Sequence, residues 1–255
     1  MRVFALTFFS LAMVSAAQSS DPRQLLQQAK QLLQQPGKAR EAMPLLQQAN
    51  EQWQAVSSAE PAYAESLDLY VQVLRSSHDI SSTAWQAEAQ PLAERAVQIL
   101  DAHPDTPREM LALALEIQAD TLGRSSLGAS AWQRASAIRG ERISSMQFNA
   151  ADVLKSDAMT PLRIGNGVSP PALASKVEPQ YTEVARLSKV QGSVVLGIVI
   201  GTDGIPRSIK LVRGCGYGLD EKAAETVSHW RFRPGVKDGN PVAVMAQIEV
   251  NFRLL

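Results

Sequence analysis

One stretch gathers most of the residue types that do chemistry. RGCGYGLDEK, residues 213–222, follows an apolar run and sets three glycines, the only cysteine and two carboxylates ahead of a helix-forming segment. Strand, glycine turn and helix start is the layout that cradles phosphate on backbone N–H groups. A dinucleotide fingerprint needs a third glycine where Leu219 stands, and the Walker pattern needs a Gly-Lys-Ser/Thr that does not follow. Gly214, Gly216 and Gly218 therefore read as a loop that requires permissive dihedrals. Cys215, alone in the chain, forms no internal disulfide; it reads as a small inert residue in a tight loop, the alternative being a reactive or intermolecularly paired thiol near Arg213. His78, His103 and His229 are scattered without ligand spacing. His229 with Asp220 and Glu225 makes surface neighbours on one helix rather than a nucleophile–base–orienter set. The sequence predicts no catalytic residues, no metal site and no cofactor.

The elements around this loop have the strand period. GSVVLGIVI (192–200) and IPRSIKLV (205–212) flank Asp203-Gly204, a strong hairpin signal that makes the two strands antiparallel. A helix follows from about Leu219 to Arg231, with Asp220 as its N-cap and Leu219, Ala223, Val227 and Trp230 on one face. In the last strand Val242, Val244, Ala246, Ile248, Val250 and Phe252 point one way, while Met245, Gln247, Glu249, Asn251 and Arg253 point the other.

Residues 21–150 have the helical period instead. EAMPLLQQA (41–49) and EAQPLAERA (88–96) match at five positions, and LGASAWQRA (127–135) is a third, looser copy. Each places small or packing residues at the same offsets: Ala42, Leu46, Ala49; Ala89, Ala93, Ala96; Gly128, Trp132, Ala135. Each follows an amphipathic stretch, 22–35, 60–76 and 107–122, so three helical hairpins are expected, their small residues letting paired helices approach. ADTLGRSSLGASAWQRASAI (119–138) resembles the turn and second helix of a tetratricopeptide (TPR) repeat. The resemblance is irregular in spacing, and an ordinary helical bundle is the alternative reading.

Charges balance at 25 basic and 25 acidic residues, which gives no general pull toward nucleic acid. The halves differ: 11 basic against 15 acidic in 21–150, and 11 against 8 in 170–255. MRVFALTFFSLAMVSAAQSS carries an early cation, an apolar run and small residues, the pattern of a secretory signal, with an uncleaved inner-membrane anchor as the alternative. The expected organisation is a signal peptide over 1–17, a TPR-like helical repeat domain over 18–150, a Pro/Gly linker over 151–178 and a C-terminal domain over 179–255. With the signal removed, no stable membrane span is expected and the protein is periplasmic.

From Tyr181 to the end, the chain resembles the C-terminal domain of TonB, the periplasmic energy transducer of Gram-negative bacteria. The likeness rests on Tyr181, Ala185, Gly192, the Asp203-Gly204 turn, Trp230-x-Phe232-x-Pro234 and a final strand ending in Asn251-Phe252; Thr182 stands where the family usually has proline. The resemblance implies an α+β chain: an all-α helical-hairpin domain, then a small domain with a three-stranded antiparallel sheet and two helices. Tyr181, Gly192, Asp203, Gly204, Trp230, Phe232 and Pro234 read as mainly structural, with Trp230 and Phe232 closing the second helix against the sheet. The resemblance also implies that the edge strand 242–252 captures a segment of an outer-membrane transporter by strand addition, with Met245, Gln247, Glu249 and Asn251 facing the guest. A homodimer through that edge, or its cover by residues 161–178, is the competing expectation. Residues 1–20 lack the histidine that the family carries in its membrane anchor, and the long Pro-rich spacer is missing. The chain then either borrows a partner's anchor or is an envelope scaffold without energy transduction.

Overall fold

Small residues decide how the N-terminal helices pack. The computed structural model describes residues 21–78, 83–146 and 160–254. The signal-peptide reading of 1–17 and the linker residues 151–159 lie outside the described residues. The helical domain comprises α1 (Pro22–Leu33), α2 (Ala39–Ala55), α3 (Pro61–Ser76), α4 (Ala84–Asp101), α5 (Arg108–Leu122) and α6 (Ser126–Ser145). Each packs on the next, and α3 also reaches α5. Ala42, Leu46 and Ala49 of α2 and Ala89, Ala93 and Ala96 of α4 are wholly buried, with Ala135 of α6 nearly so. Without bulky side chains on those stripes, neighbouring helices close together. At Gly128 even a methyl group would run into the Gly123 carbonyl oxygen.

The C-terminal domain has more strands than the three expected. Its main sheet runs in the order β1 (Leu162–Arg163), β8 (Val244–Phe252), β3 (Gly192–Ile200), β4 (Pro206–Arg213). Two small ribbons join it: β2 (Ala172–Ser175) with β5 (Arg231–Arg233), and β6 (Gly235–Lys237) with β7 (Asn240–Val242). The two helices are α7 (Glu183–Leu187) and α8 (Leu219–Ser228). The stretch read as a linker is, from residue 160 on, laid along this domain through β1 and β2.

The second long helix ends at Ser228, not near Arg231. His229 caps it, and the chain goes straight into β5, whose backbone bonds are supplied by β2. The Trp230-x-Phe232-x-Pro234 signature therefore lies on a strand after the helix rather than at the helix end. Asp220 is not the N-cap either. Gly218, at φ 75°, takes that place.

One apolar core spans both domains. Val71, Leu74, Trp85, Ile117 and Ile143 of the helices join Val194, Leu196, Leu219, Val227 and Phe252 of the sheet domain. α6 lies against both β4 and α8, and α3 against α7.

Within the helices, Asp68 of α3 is buried and its Oδ1 has no hydrogen-bond partner. Burial, with the Glu65 charge adding, pushes its carboxyl well above the ordinary 3.8. An acid raised on folding contributes fully below its unfolded value, and that contribution is lost as pH rises toward the folded value. Asp68→Asn is expected to stabilise the protein at pH 7 by about 1–2 kcal/mol and to change little at pH 3, as urea unfolding at the two pH values will show.

Candidate functional site

The glycine loop between β4 and α8 does receive anions, and they are the protein's own. Gly216, Tyr217 and Gly218 all have positive φ, at 71°, 55° and 75°. This turns successive N–H groups inward. Cys215 N and Gly216 N donate to Asp220 Oδ1 at 2.7 and 3.2 Å, while Tyr217 N donates to Glu116 Oε2 of α5 at 2.7 Å. A Cβ on Gly216 would sit 2.7 Å from the Glu116 carboxyl carbon, so only glycine admits the helical domain this closely. Burial pushes the Asp220 carboxyl up to about 6 against the opposing pull of its backbone donor at Cys215.

Arg139 of α6 completes the junction. It grips Glu116 with two bonds, Nε to Oε1 at 2.8 Å and Nη2 to Oε2 at 2.9 Å, and reaches Glu221 of α8 at 3.0 Å. Glu116 is 1% exposed and Arg139 5%. On the far side of the loop the Tyr217 hydroxyl donates to Asp120, which also pairs with Arg75. Thr182 caps α7 through Ala185 N at 3.1 Å and donates to the Tyr217 carbonyl at 2.7 Å. The threonine at the family's usual proline position thus anchors the same loop.

The family-signature residues converge around the sheet's inner face. The Tyr181 ring meets Phe252 edge-on with centroids 5.5 Å apart, and its hydroxyl donates to Val190 O. Gly192 leaves room for Cys215 Sγ, which a Cβ would approach to 2.9 Å. Trp230 and Phe232 are buried, with Trp230 Nε1 donating to Val177 O at 2.8 Å. The β3–β4 turn spans Gly201–Ile205, closed by Gly201 N to Ile205 O at 3.0 Å. In it Asp203 makes a two-pronged pair with Arg207, which holds its carboxyl down at about 2. Gly204, at φ 77°, lies so near β5 that a Cβ would enter the Phe232 carbonyl oxygen, while Phe232 N donates to Gly204 O at 2.9 Å. Pro234 separates β5 from β6.

The four residues read as facing a guest share one exposed face of β8. Met245, Gln247, Glu249 and Asn251 alternate there with inward-pointing Val244, Ala246, Ile248, Val250 and Phe252. Asn251 Oδ1 accepts from Ser193 Oγ at 2.6 Å. Met245 and Gln247 border a shallow depression of about 750 Å³ with Gly197, Lys210 and Val212. β8 is not a bare edge along its whole length. It pairs antiparallel with β3 from Val244 to Phe252, and parallel with β1 at Val244 and Met245 only. Beyond Met245 that side of β8 has no strand partner among the described residues. The opposite margin, on β4, lies against α6.

Sequence reasoning missed Glu116 and Arg139, which carry no local signal on their helices. It also missed the β6–β7 hairpin, although Asp238-Gly239, at φ 49° and 78°, repeats the dipeptide signal used at 203–204.

Two outcomes follow from this geometry. Glu116→Gln removes a charge that Arg139 and Tyr217 N both need, and is expected to cost about 3 kcal/mol in urea unfolding, with protease cleavage appearing between the domains. Burial, with the Asp220 charge adding, pushes the Cys215 thiol up to about 11. Iodoacetamide at pH 8 is therefore expected to modify the folded protein roughly a hundredfold more slowly than the unfolded chain.

Residues 177–254 match the family model described as Gram-negative bacterial TonB protein C-terminal. Protein TonB of Vibrio cholerae serotype O1 (strain ATCC 39315 / El Tor Inaba N16961) is 35% identical over 89 residues, which cover 34% of this chain and 36% of that protein. The matched part thus spans about a third of that curated relative's length, and the helical domain lies outside residues 177–254. The tail that packs its glycine loop onto Glu116 is a TonB C-terminal domain.

Proposed function

We propose that this protein is a TonB-like interaction module of the Gram-negative envelope. Its C-terminal domain takes an extended segment of a partner, such as an outer-membrane transporter, as an added strand along β8, and its helical hairpins bind a second protein. One observation carries the reading: from Ala246 to Phe252 the outer side of β8 has no strand partner among the described residues, while β3 fills the other side. An unpaired margin offers N–H and C=O groups in a row and invites a strand. Family membership of residues 177–254 supports the same reading.

The role is one of binding rather than catalysis, and its place is the periplasm, reached through the signal at 1–17. Among the described residues no helix is long and apolar enough to cross a membrane. In the helical domain, α4, α5 and α6 enclose a groove of about 280 Å³ bordered by Glu94, Gln118, Leu127 and Arg134, a surface suited to the second partner.

Titration of the ¹⁵N-labelled protein with a peptide carrying a TonB-box-like transporter segment tests the proposal. Amide shifts and exchange protection are expected along 246–252, saturating at a Kd of about 0.1–1 mM. No shift at millimolar peptide overturns it. Shifts in 246–252 that depend on protein concentration alone assign the margin to a second copy, and also overturn it.

A further inference from the structure

We propose that the cleft between the helical domain and the C-terminal domain binds a small phosphate-bearing anion. The cleft encloses about 560 Å³, within the size range of small-molecule sites, and lies at a domain junction where such sites concentrate. It opens where α3 ends, α4 begins and α5 ends, and Ser188 and Lys189, just past α7, close it from the other domain.

Its charge balance selects the ligand. Arg75, Arg124 and Lys189 line it, and Asp120 is the one acidic group among the described lining residues. Asp120 is already committed, because Arg75 pairs with it and the Tyr217 hydroxyl donates to it. Lys189 hangs over the cleft from the C-terminal domain, its Nζ held by Ser76 O at 3.1 Å with two donors to spare. Arg124 has no hydrogen-bond or ion-pair partner among the described residues. Among the described lining residues two positive charges from two domains therefore remain, matching the charge of about −2 on a phosphate monoester.

Apart from the Trp85 ring, the remaining described lining residues carry hydrogen-bonding groups. Ser76, Thr83 and Gln86 border the cleft, suiting hydroxyls beside the phosphate, and Gln86 is fixed by donating to Asp120 O at 2.9 Å. Ser188, also on the lining, is 1% exposed, and its Oγ has no hydrogen-bond partner. A buried hydroxyl without a partner is costly unless something completes it. The site is independent of strand addition, since no residue of β8 lines it.

Calorimetric titration of the full chain with glycerol 3-phosphate tests the proposal, with inorganic phosphate and phosphatidylglycerol vesicles as parallel arms. Saturable binding at a Kd of about 1 mM or tighter is expected, weakened at least about tenfold in the Arg124→Gln/Lys189→Gln double variant. Both side chains are exposed, so its thermal melt is expected to match the wild type. Lys210→Gln/Arg213→Gln, which removes the same charge from the sheet domain, is expected to bind normally. Vesicle binding that soluble phosphate ester displaces, and that the first double variant loses, makes a lipid head group the source of the phosphate. Absence of saturable binding, equal weakening in both double variants, or vesicle binding that soluble ester does not displace overturns the proposal.

Discussion

A guanidinium held between two carboxylates fixes how the two halves of this protein meet. Arg139 is almost sealed from water with Glu116 on one side and Glu221 on the other, and Glu116 in turn takes the Tyr217 N–H. A buried charge deprived of one partner costs several kcal/mol, so the sheet domain cannot shift on the helices without breaking the set. The apolar core that runs from Val71 and Trp85 to Val194 and Phe252 adds an undirected attraction; the ionic set supplies the orientation. That orientation lays α6 against β4 and leaves β8 on the sheet's other side.

The glycines around the junction have the same physical role in different places. A backbone with positive φ presents consecutive N–H groups to one point, and a residue without Cβ lets another element reach them. At 214–218 the visiting group is a carboxylate from α5. At Gly204 only the second half of this applies: the missing Cβ lets the β5 backbone come close, and there Gly204 O accepts from Phe232 N. The phosphate-loop layout in the sequence was thus a true report of local geometry. What fills it depends on a residue about a hundred positions away, and no local pattern names that residue.

The same distinction separates what was legible from what was not. Helix positions, the buried alanine stripes, the Asp203-Gly204 hairpin and the alternation in the last strand follow from local periodicity and turn chemistry; that strand, expected over 242–252, begins at Val244, because Val242 belongs to β7 and pairs with Gly235. The helix ends at Ser228 rather than near Arg231, although its apolar face continues through Trp230, because β5 bonds to β2 and to Gly204 and so draws the chain out of the helix. The strands β1 and β2 were invisible for a related reason: LR and ALAS have no period of their own and become strands through partners far along the chain. Tyr181, Gly192, Trp230 and Phe232 were identified through family likeness, and the structure supplies the contacts. The junction residues lie in helical segments where charged side chains ordinarily face water, so their burial is a tertiary property.

The length of the open margin bounds what it can do. β1 takes the rungs at Val244 and Met245, with Leu162 N donating to Ala243 O at 2.8 Å. The chain then leaves the edge through Gly165, Asn166 and Gly167, all at positive φ, and Val168 bridges to Lys237 instead. A guest therefore has at most residues 246–252. Only alternate residues of a strand turn their backbone groups to one side, and each offers one N–H and one C=O, which gives roughly six to eight hydrogen bonds worth about 1 kcal/mol each before the guest's ordering entropy, about 1–2 kcal/mol per residue, is set against them. Main-chain pairing alone then falls short of tight binding. Whatever selectivity and further affinity a guest finds must come from side chains: Gln247, Glu249 and Asn251 on the exposed face, and the half-buried Ala246 and Ile248 on the other. A margin trimmed by its own polypeptide to this length suits weak, quickly reversed capture, and it also limits the edge-to-edge association that a longer bare strand would invite.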